Sequence, residues 1–417
     1  MAEQKRPVAV LVDAYTSGNY LPPAFARLDA DLVHVQSTPE LLASMMPPNL
    51  DAYRAALVCD TPEATAARLA EYGPVCVVAG QEPGVPLADA LSGLLGVPSN
   101  GTELSAARRD KYEMIEALRR AGVRCAEQFK SDDAEALVKW AENHDAYPVV
   151  VKPLTSAATD GVAVCRDADQ VRAAAEYVLA SDTIFETSNR EALVQSYLAG
   201  DEYVVDMVSY EGKRYTCGVW QYRKQLIGTH NIYDQETIRA EHESPVPEVI
   251  AYTNEVLDAL GIRFGPSHAE VIVTADGPTL VEVGARLSGN MHPAFHDQCV
   301  GGNQADLTAL AYVRPQEFLD RYAGRTYHKV REATVYTAPT ELDGVVDSVD
   351  EQVVREIEAI DSVYGLNVKL KPGGRIKPTV DLYTSTLRVF LTADSESDLE
   401  RDYRLVQELK DRVYRLR

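Results

Sequence analysis

The sequence carries little positive charge and no long hydrophobic run. Its 41 Lys and Arg residues stand against 63 Asp and Glu residues, which gives a formal net charge of −22 at pH 7. Such a chain lacks the basic surface that holds nucleic-acid phosphates or anionic membranes. No apolar stretch approaches the ~20 residues that cross a bilayer, and the N-terminus lacks a signal-peptide core. We therefore expect neither a nucleic-acid nor a membrane partner.

Common metal and cofactor motifs are also missing. The six cysteines form no Cys-x-x-Cys pair, and the eight histidines form no His-Glu-x-x-His motif. The first strand is not followed by Gly-x-Gly-x-x-Gly, which argues against a dinucleotide site there. Most cysteines lie in apolar runs, as is typical of reduced, buried thiols. These features predict a cytoplasmic protein without a zinc site.

The length of 417 residues predicts two or three domains. Residues 7–100 alternate apolar runs with amphipathic stretches, including a predicted helix at Pro39–Met46, and this alternation predicts βαβ units with a Rossmann-like parallel sheet. Residues beyond about 321 combine strand patterns with glycine-rich turns. The predicted fold class is therefore α/β with α+β parts. The predicted domains are 1–103, 104–320 (with subdomains near 125–197 and 198–320) and a C-terminal α+β lobe at 321–417.

The segment His268–Met291 has the pattern of a β-hairpin that carries acidic residues on one face. A period of two places His268 with Glu270 on the first arm, and Glu282 with Arg286 on the second. A three-residue loop, Ala275-Asp276-Gly277, would pair Thr274 with Pro278 and Glu270 with Glu282.

Two carboxylates that face each other across neighbouring strands repel. A divalent cation between Glu270 and Glu282 would turn that repulsion into binding, and Mg²⁺ selects carboxylate oxygens together with substrate phosphates and water. The alternative is an ordinary hairpin that shows Glu to solvent at alternate positions. Arg286 favours the site, because arginine suits the binding of phosphate or carboxylate.

A second candidate region follows the apolar strand Tyr147–Pro153, which ends in Lys152. The next segment, Leu154–Val162, consists of small and hydroxyl-bearing residues, and its backbone N–H groups could fold over phosphates. Further along the chain, the polar segment His230–Ser244 predicts a loop over a site, with Tyr233 as a residue that reaches substrate.

The order of these parts resembles the ATP-grasp superfamily of carboxylate–amine ligases, and most of all the L-amino acid (dipeptide) ligases of natural-product pathways. Lys111 in Asp-Lys-Tyr and Lys152 in Val-Val-Lys-Pro match the two nucleotide-binding lysines. The resemblance implies a central ATP-grasp fold of two α+β subdomains and metal binding by Glu270 and Glu282, with Mg²⁺ or in its place Mn²⁺. It implies ATP binding by Lys111, Lys152, Thr155, Ser156, Gly161, Gln195, Ser196, Tyr197, Leu198 and Glu202.

The resemblance also implies a reaction. A small carboxylic acid, such as an amino acid, would become an acyl phosphate and then couple to an amine, with release of ADP and phosphate. Arg286 and His268 are the implied catalytic residues. The partners would be small-molecule carboxylates and amines, and a homodimer is compatible with the family. The candidate substrate-binding residues are Arg286, Ser288, Gly289, Asn290, His292 and Tyr233.

Two departures from the family pattern keep other functions open. Gly284 stands where the family commonly has Asn, and Leu154–Val162 has fewer glycines than the usual phosphate loop. One alternative is a carboxylase or formyl-phosphate-forming enzyme of the purine or biotin type. Another is a non-catalytic nucleotide-binding relative, which Gly284 favours and the retained lysines and glutamates oppose.

Overall fold

The short apolar runs of the N-terminal region form a parallel sheet. The computed structural model describes residues 6–144, 147–157, 159–227, 230–380 and 384–417. The first sheet has the order β3-β2-β1-β4, with every pair parallel. Its elements are β1 (Val8–Val12), α1 (Leu21–Ala26), β2 (Asp31–Gln36), β3 (Ala55–Val58), α2 (Pro62–Ala70), β4 (Pro74–Ala79) and α3 (Val85–Leu95). The predicted mixed α/β class with an N-terminal parallel sheet is confirmed.

The helix predicted at Pro39–Met46 is wrong, because this segment forms bends and turns. Its backbone donors are used in contacts with other parts of the chain. The Leu42 N–H donates to the Tyr15 hydroxyl at 3.4 Å, and the Ala43 N–H donates to Glu186 Oε1 at 3.2 Å. Leu42 also packs in one apolar cluster with Tyr15 and Phe185. These tertiary contacts replace the local hydrogen bonds of a helix.

A smaller antiparallel sheet follows helix α4 (Lys111–Ala121), whose first turn is capped by the Asp110 side chain. The sheet has the order β5-β8-β6-β7. Two helices supply apolar side chains to the same core as its strands. The elements are β5 (Gln128–Ser131), α5 (Ala134–Asn143), β6 (Val149–Pro153), β7 (Ala163–Cys165), α6 (Ala168–Ala180) and β8 (Ala192–Ser196).

The largest sheet begins with β9 (Asp201–Tyr210), β10 (Lys213–Ile227), β11 (His230–Ile238), β12 (Gly265–Thr274) and β13 (Gly277–Gly284). Its helices in this part of the chain are α7 (Val246–Ala259), α8 (Pro293–Val300), α9 (Gln304–Val313) and α10 (Pro315–Arg321). The predicted loop at His230–Ser244 is wrong for its first half, which pairs with β10 as a strand. Buried Ile232 and Ile238 explain the strand, because they alternate with partly exposed residues.

Strands from the C-terminal region continue the same sheet, in the order β13-β12-β9-β10-β11-β15-β19-β17, while β14 pairs with β10. No described helix is both long and apolar enough to cross a bilayer. The C-terminal elements are β14 (Arg325–Thr326), β15 (Glu332–Ala338), β16 (Gly344–Val349), α11 (Glu351–Glu358), β17 (Val363–Val368), β18 (Arg375–Ile376), β19 (Leu387–Ala393), α12 (Glu396–Leu409) and β20 (Tyr414–Leu416).

The β12–β13 hairpin has the predicted pairing of Glu270 with Glu282, but its loop is shorter than predicted. Thr274 pairs with Gly277, so the loop has two residues and the predicted pairing of Thr274 with Pro278 is wrong. Gly277 has φ of +109°, as a tight turn requires. A register shift between Glu270 and Val271 then inserts one extra residue, and Glu270 faces Glu282 as predicted.

A buried ion pair connects the N-terminal region to the loop before β12. Arg108 is fully buried, and its Nε and Nη2 atoms donate to Asp89 Oδ2 at 3.1 and 2.9 Å. Its Nη1 atom donates to the Leu260 carbonyl at 3.0 Å. The guanidinium therefore holds together α3, the segment before α4 and the C-terminal end of α7.

We predict that Arg108→Met lowers the free energy of unfolding by about 3–5 kcal/mol, because it leaves the Asp89 carboxylate buried without its partner. Denaturant unfolding monitored by circular dichroism measures this loss. The control is Arg54→Met, which removes an exposed pair with Asp31 and should cost no more than about 1 kcal/mol. Equal losses in the two variants would contradict the structural importance of Arg108.

Candidate active site

A cavity of about 770 Å³ lies between the small sheet and the large sheet. Strands β6, β7 and β8 supply one wall, and strands β9 to β13 supply the other. Such a volume accommodates a ligand of nucleotide size. The predicted site residues that line it are Lys111, Lys152, Ser156, Gln195, Ser196, Tyr197, Leu198, Glu202, Tyr233, Glu270 and Glu282.

Two lysines enter the cavity from different elements. Lys111 begins α4, and its Nζ lies 2.7 Å from Glu282 Oε2 and donates to the Ser156 carbonyl at 2.6 Å. Lys152 lies on β6, and its Nζ donates to Gln195 Oε1 on β8 at 3.0 Å. Burial and the charge of Lys111 lower the pKa of Lys152 to about 8. The site therefore holds two cationic groups close to the facing carboxylates.

Glu270 and Glu282 form a carboxylate pair suited to a hard cation. Burial raises the pKa of Glu282, but Lys111, Lys152 and Arg286 outweigh it and lower the value to about 2. Glu282 is therefore ionised at neutral pH. Among the described residues, no group of three or more Asp, Glu, His or Cys side chains could hold a metal alone. A two-carboxylate site fits Mg²⁺, which usually takes its other ligands from phosphates and water.

Glu202 and Tyr233 both contact Lys224, a lysine that was not predicted from the sequence. Glu202 on β9 forms an ion pair with Lys224 of β10 and accepts a hydrogen bond from the Tyr233 hydroxyl at 3.3 Å. The Lys224 ammonium also lies 4.1 Å from the centre of the Tyr233 ring. The side chain of Lys224 was missed because its role depends on the register between β9 and β10.

The loop after β6 contributes Ser156, Asp160 and neighbouring residues to the cavity lining. The Ser156 hydroxyl donates to Asp160 Oδ2 at 2.6 Å, and the same oxygen accepts from the Ile184 N–H at 3.2 Å. Thr155 and Gly161 belong to this loop but do not line the cavity. Ala158, inside the predicted Leu154–Val162 loop, lies outside the described residues.

His268 lies behind Glu270, outside the cavity lining. Its Nδ1 atom is 2.7 Å from Asp206 Oδ1, and its Nε2 atom is 3.7 Å from Glu270 Oε1. Burial alone lowers the pKa of His268, but Asp206 and Glu270 outweigh it and raise the value to about 9. A pKa of about 9 favours the cationic ring at neutral pH, beside the Glu270 carboxylate. The catalytic role of His268 stays a prediction.

Arg286 is buried beside the same carboxylates. Its Nε donates to Glu82 Oε1 at 2.9 Å, and its Nη1 donates to the Leu287 carbonyl at 2.9 Å. Arg109 Nη1 approaches the other oxygen of Glu82 at 3.7 Å. The sequence did not indicate the pairing of Glu82 with Arg286, which are 204 residues apart.

The remaining predicted substrate residues lie in the segment after β13 and outside the cavity lining. The Ser288 N–H donates to Gln304 Oε1 at 2.9 Å. Asn290 Nδ2 donates to Glu236 Oε2 at 2.7 Å. The His292 side chain accepts from the Phe295 N–H and caps α8. A Cβ at Gly289 would meet no atom within 4 Å. Their roles in substrate binding remain predictions.

The raised pKa of Glu236 makes its contribution to the stability of the fold depend on pH. Burial raises this pKa to about 7, against the opposing effects of Asn290 and His268. The folded state binds the Glu236 proton more tightly than the unfolded state does. The contribution of this group to the free energy of unfolding therefore falls as pH rises from about 4.5 to about 7.

We predict that Glu236→Gln raises the free energy of unfolding at pH 8 by about 2–3 kcal/mol, because the amide carries no buried charge. The gain should shrink towards pH 5, where wild-type Glu236 is protonated. Unfolding curves at both pH values measure it, with exposed Glu358→Gln as the control. A gain that is independent of pH would refute the assigned cause.

Comparisons with known proteins agree with this geometry. Residues 145–294 match the family described as ATP-grasp domain. Dapdiamide A synthase of Enterobacter agglomerans is 34% identical over 418 residues, which cover 99% of this chain and 97% of that protein.

Two solved structures share the fold. The L-amino acid ligase from Bacillus licheniformis superposes with a TM-score of 0.76 at 18% identity, over 99% of each chain. The N5-carboxyaminoimidazole synthetase from Staphylococcus aureus in complex with ADP gives 0.68 at 12% identity, over 98% of this chain and 100% of that chain. The similarity to the synthase extends over nearly the full length of both sequences. The chain therefore belongs to the ATP-grasp family of ATP-dependent, ADP-forming carboxylate–amine ligases.

Proposed function

We propose that the chain activates an amino acid, or another small carboxylic acid, as an acyl phosphate and joins it to an amine such as a second amino acid. One observation carries the proposal. Two buried lysines and a facing pair of glutamates converge on one cavity between two sheets, with Lys111 Nζ 2.7 Å from Glu282 Oε2. These groups match the charges of a magnesium–nucleotide complex.

The first step transfers the γ-phosphoryl group of ATP to a carboxylate oxygen. A bond forms between that oxygen and the γ-phosphorus, and the bond from phosphorus to the β,γ-bridging oxygen breaks, which releases ADP. Such transfer depends on positioning and neutralisation of charge. Lys111 and Lys152 would bind phosphate oxygens, and Glu202 the ribose. Mg²⁺ held by Glu270 and Glu282 would supply further neutralisation of phosphate charge when bound.

The second step forms the amide. The amine nitrogen attacks the acyl carbon, phosphate leaves with the bonding electrons, and the nitrogen loses a proton. Arg286 would donate to carboxylate or phosphoryl oxygens, where a buried guanidinium is most effective. His268 is already protonated at neutral pH. It would therefore orient Glu270, while the uncharged amine attacks without a protein base.

The substrate class is supported by the relatives. The 34% identical relative is named for the synthesis of dapdiamide A, and a solved structure with the same fold is an L-amino acid ligase. We therefore propose amino acids and their derivatives as substrates, with Tyr233, Ser288, Gly289, Asn290 and His292 as candidate contacts.

We predict that pairs of amino acids stimulate the release of phosphate and ADP in equal amounts from ATP. Single amino acids and pairs should be screened by phosphate detection, followed by mass spectrometry of the amide product. Bicarbonate and formate serve as comparison substrates. Formation of AMP, or stimulation by bicarbonate or formate alone, would contradict the proposed reaction.

We predict that Glu282→Ala and Lys152→Ala each reduce turnover by at least about 100-fold, because the first removes a ligand of the divalent cation and the second removes a cation that neutralises phosphate charge. The kcat of amide formation measures the loss. Glu358→Ala and Lys139→Ala are matched controls, since both side chains are exposed and lie outside the cavity lining. Unchanged kcat in the site variants would exclude the proposed roles.

A further inference from the structure

Gly284 lies beside a carboxylate that comes from a distant part of the chain. A Cβ atom built at residue 284 would lie 2.4 Å from Glu82 Oε1 and 3.1 Å from Arg286 Nε. Real Cβ atoms essentially never approach another atom below 3.0 Å. Any side chain at this position, including the Asn common in the family, would displace Glu82. A side chain at residue 284 would therefore push the Glu82 carboxylate out of its present position.

The carboxylate that takes this space is tied to Arg286. Glu82 and Arg286 are 8% and 7% exposed, and the Glu82 Oε1 atom accepts from Arg286 Nε at 2.9 Å. Arg286 Nη1 donates to the Leu287 carbonyl. Among the described contacts, Arg286 Nη2 has no protein acceptor, so two of the three guanidinium nitrogens are fixed and the third can meet a ligand oxygen.

The backbone around Glu82 is anchored to the N-terminal sheet. Glu82 begins a 3₁₀ turn (Glu82–Gly84) directly after β4. The preceding Gln81 donates through Nε2 to Thr16 Oγ1 at 2.8 Å and to Ser17 Oγ at 2.7 Å. The carboxylate therefore projects from a fixed loop at the end of β1 and β4.

We propose that Glu82 is a positioning residue that aims Arg286 at the reacting oxygens, and that Gly284 is present to admit the Glu82 carboxylate. The proposal rests on the role of Arg286 in the proposed function. Arginine has a long, flexible side chain, so a fixed acceptor at Nε reduces the entropic cost of orienting the guanidinium group. Burial lowers the pKa of Arg286, and among the carboxylates that raise this pKa Glu82 has the largest effect.

A double-mutant cycle tests the coupling. Glu82→Ala should lower kcat about 10- to 100-fold while KM for ATP stays within about twofold, because misaimed donors cost transition-state stabilisation. Glu82→Gln should retain kcat within about threefold, since its amide oxygen still accepts from Nε. Gly284→Ala should lower kcat about 10-fold or more by pushing the carboxylate away. In the Glu82→Ala background, Gly284→Ala should cost no more than about twofold.

Gly93→Ala is the matched glycine control, because a Cβ there meets no atom within 4 Å. Unchanged kcat in Glu82→Ala, or losses that multiply in the double variant, would overturn the proposal. A purely structural ion pair would instead lower ADP affinity and melting temperature without rescue by Glu82→Gln.

The melting temperatures of the wild type, Glu82→Ala, Gly284→Ala and the double variant are measured without substrate. Non-additive changes are expected, since the contact below 3.0 Å at residue 284 disappears with the Glu82 carboxylate and only the milder contacts with Arg286 remain. Additive changes would refute the contact. Absence of turnover in the wild-type protein on every amine and carboxylate would count against the proposed function, while the melting-temperature cycle still decides whether Gly284 admits Glu82.

Discussion

The arrangement of the site depends on two carboxylates, Glu270 and Glu282, that face each other across β12 and β13 and repel each other. The chain offsets this repulsion with cations, since Lys111 contacts Glu282 directly and Lys152 and Arg286 favour its ionised form. A nucleotide phosphate would therefore compete with Glu282 for Lys111. In the proposed function, that competition would link binding of the nucleotide to release of the carboxylate pair, which would then be available to a divalent cation.

The groups that flank the carboxylates were predictable where they follow short-range patterns. Lys152 ends an apolar strand, as the sequence predicted. Lys111 was identified from its Asp-Lys-Tyr context within a helix expected at about 104–121, whereas the structure begins that helix at Lys111, after the capping Asp110. The facing of Glu270 and Glu282 was predicted correctly although the loop was not. A loop shorter by one residue is compensated by one extra residue in the strand, and the alternation of side chains restores the register.

The contacts that were missed join residues far apart in the sequence. Glu82 and Arg286 are 204 residues apart, Asp206 and His268 are 62 apart, and Lys224 reaches Glu202 across a strand pair. No local periodicity encodes such pairs. The wrong helix prediction at Pro39–Met46 has the same cause, because the distant residues Tyr15 and Glu186 accept hydrogen bonds from its backbone N–H groups. Local propensity decides an element only where no distant partner offers a better contact.

The strongly acidic composition and the proposed phosphate site are compatible because the cations of the site have acceptors within the chain, which for Lys152 is the neutral Gln195 side chain. Lys111, Lys224 and Arg286 each contact a carboxylate of the chain. A net charge of −22 repels anions at long range, but salt screens this repulsion beyond about 10 Å. In the proposed function, affinity for a nucleotide would arise from the exchange of partners inside the cavity, where interactions between charges are stronger than in water. The same exchange would favour a ligand that brings both anionic oxygens and a divalent cation, because such a ligand satisfies the lysines and the glutamates together.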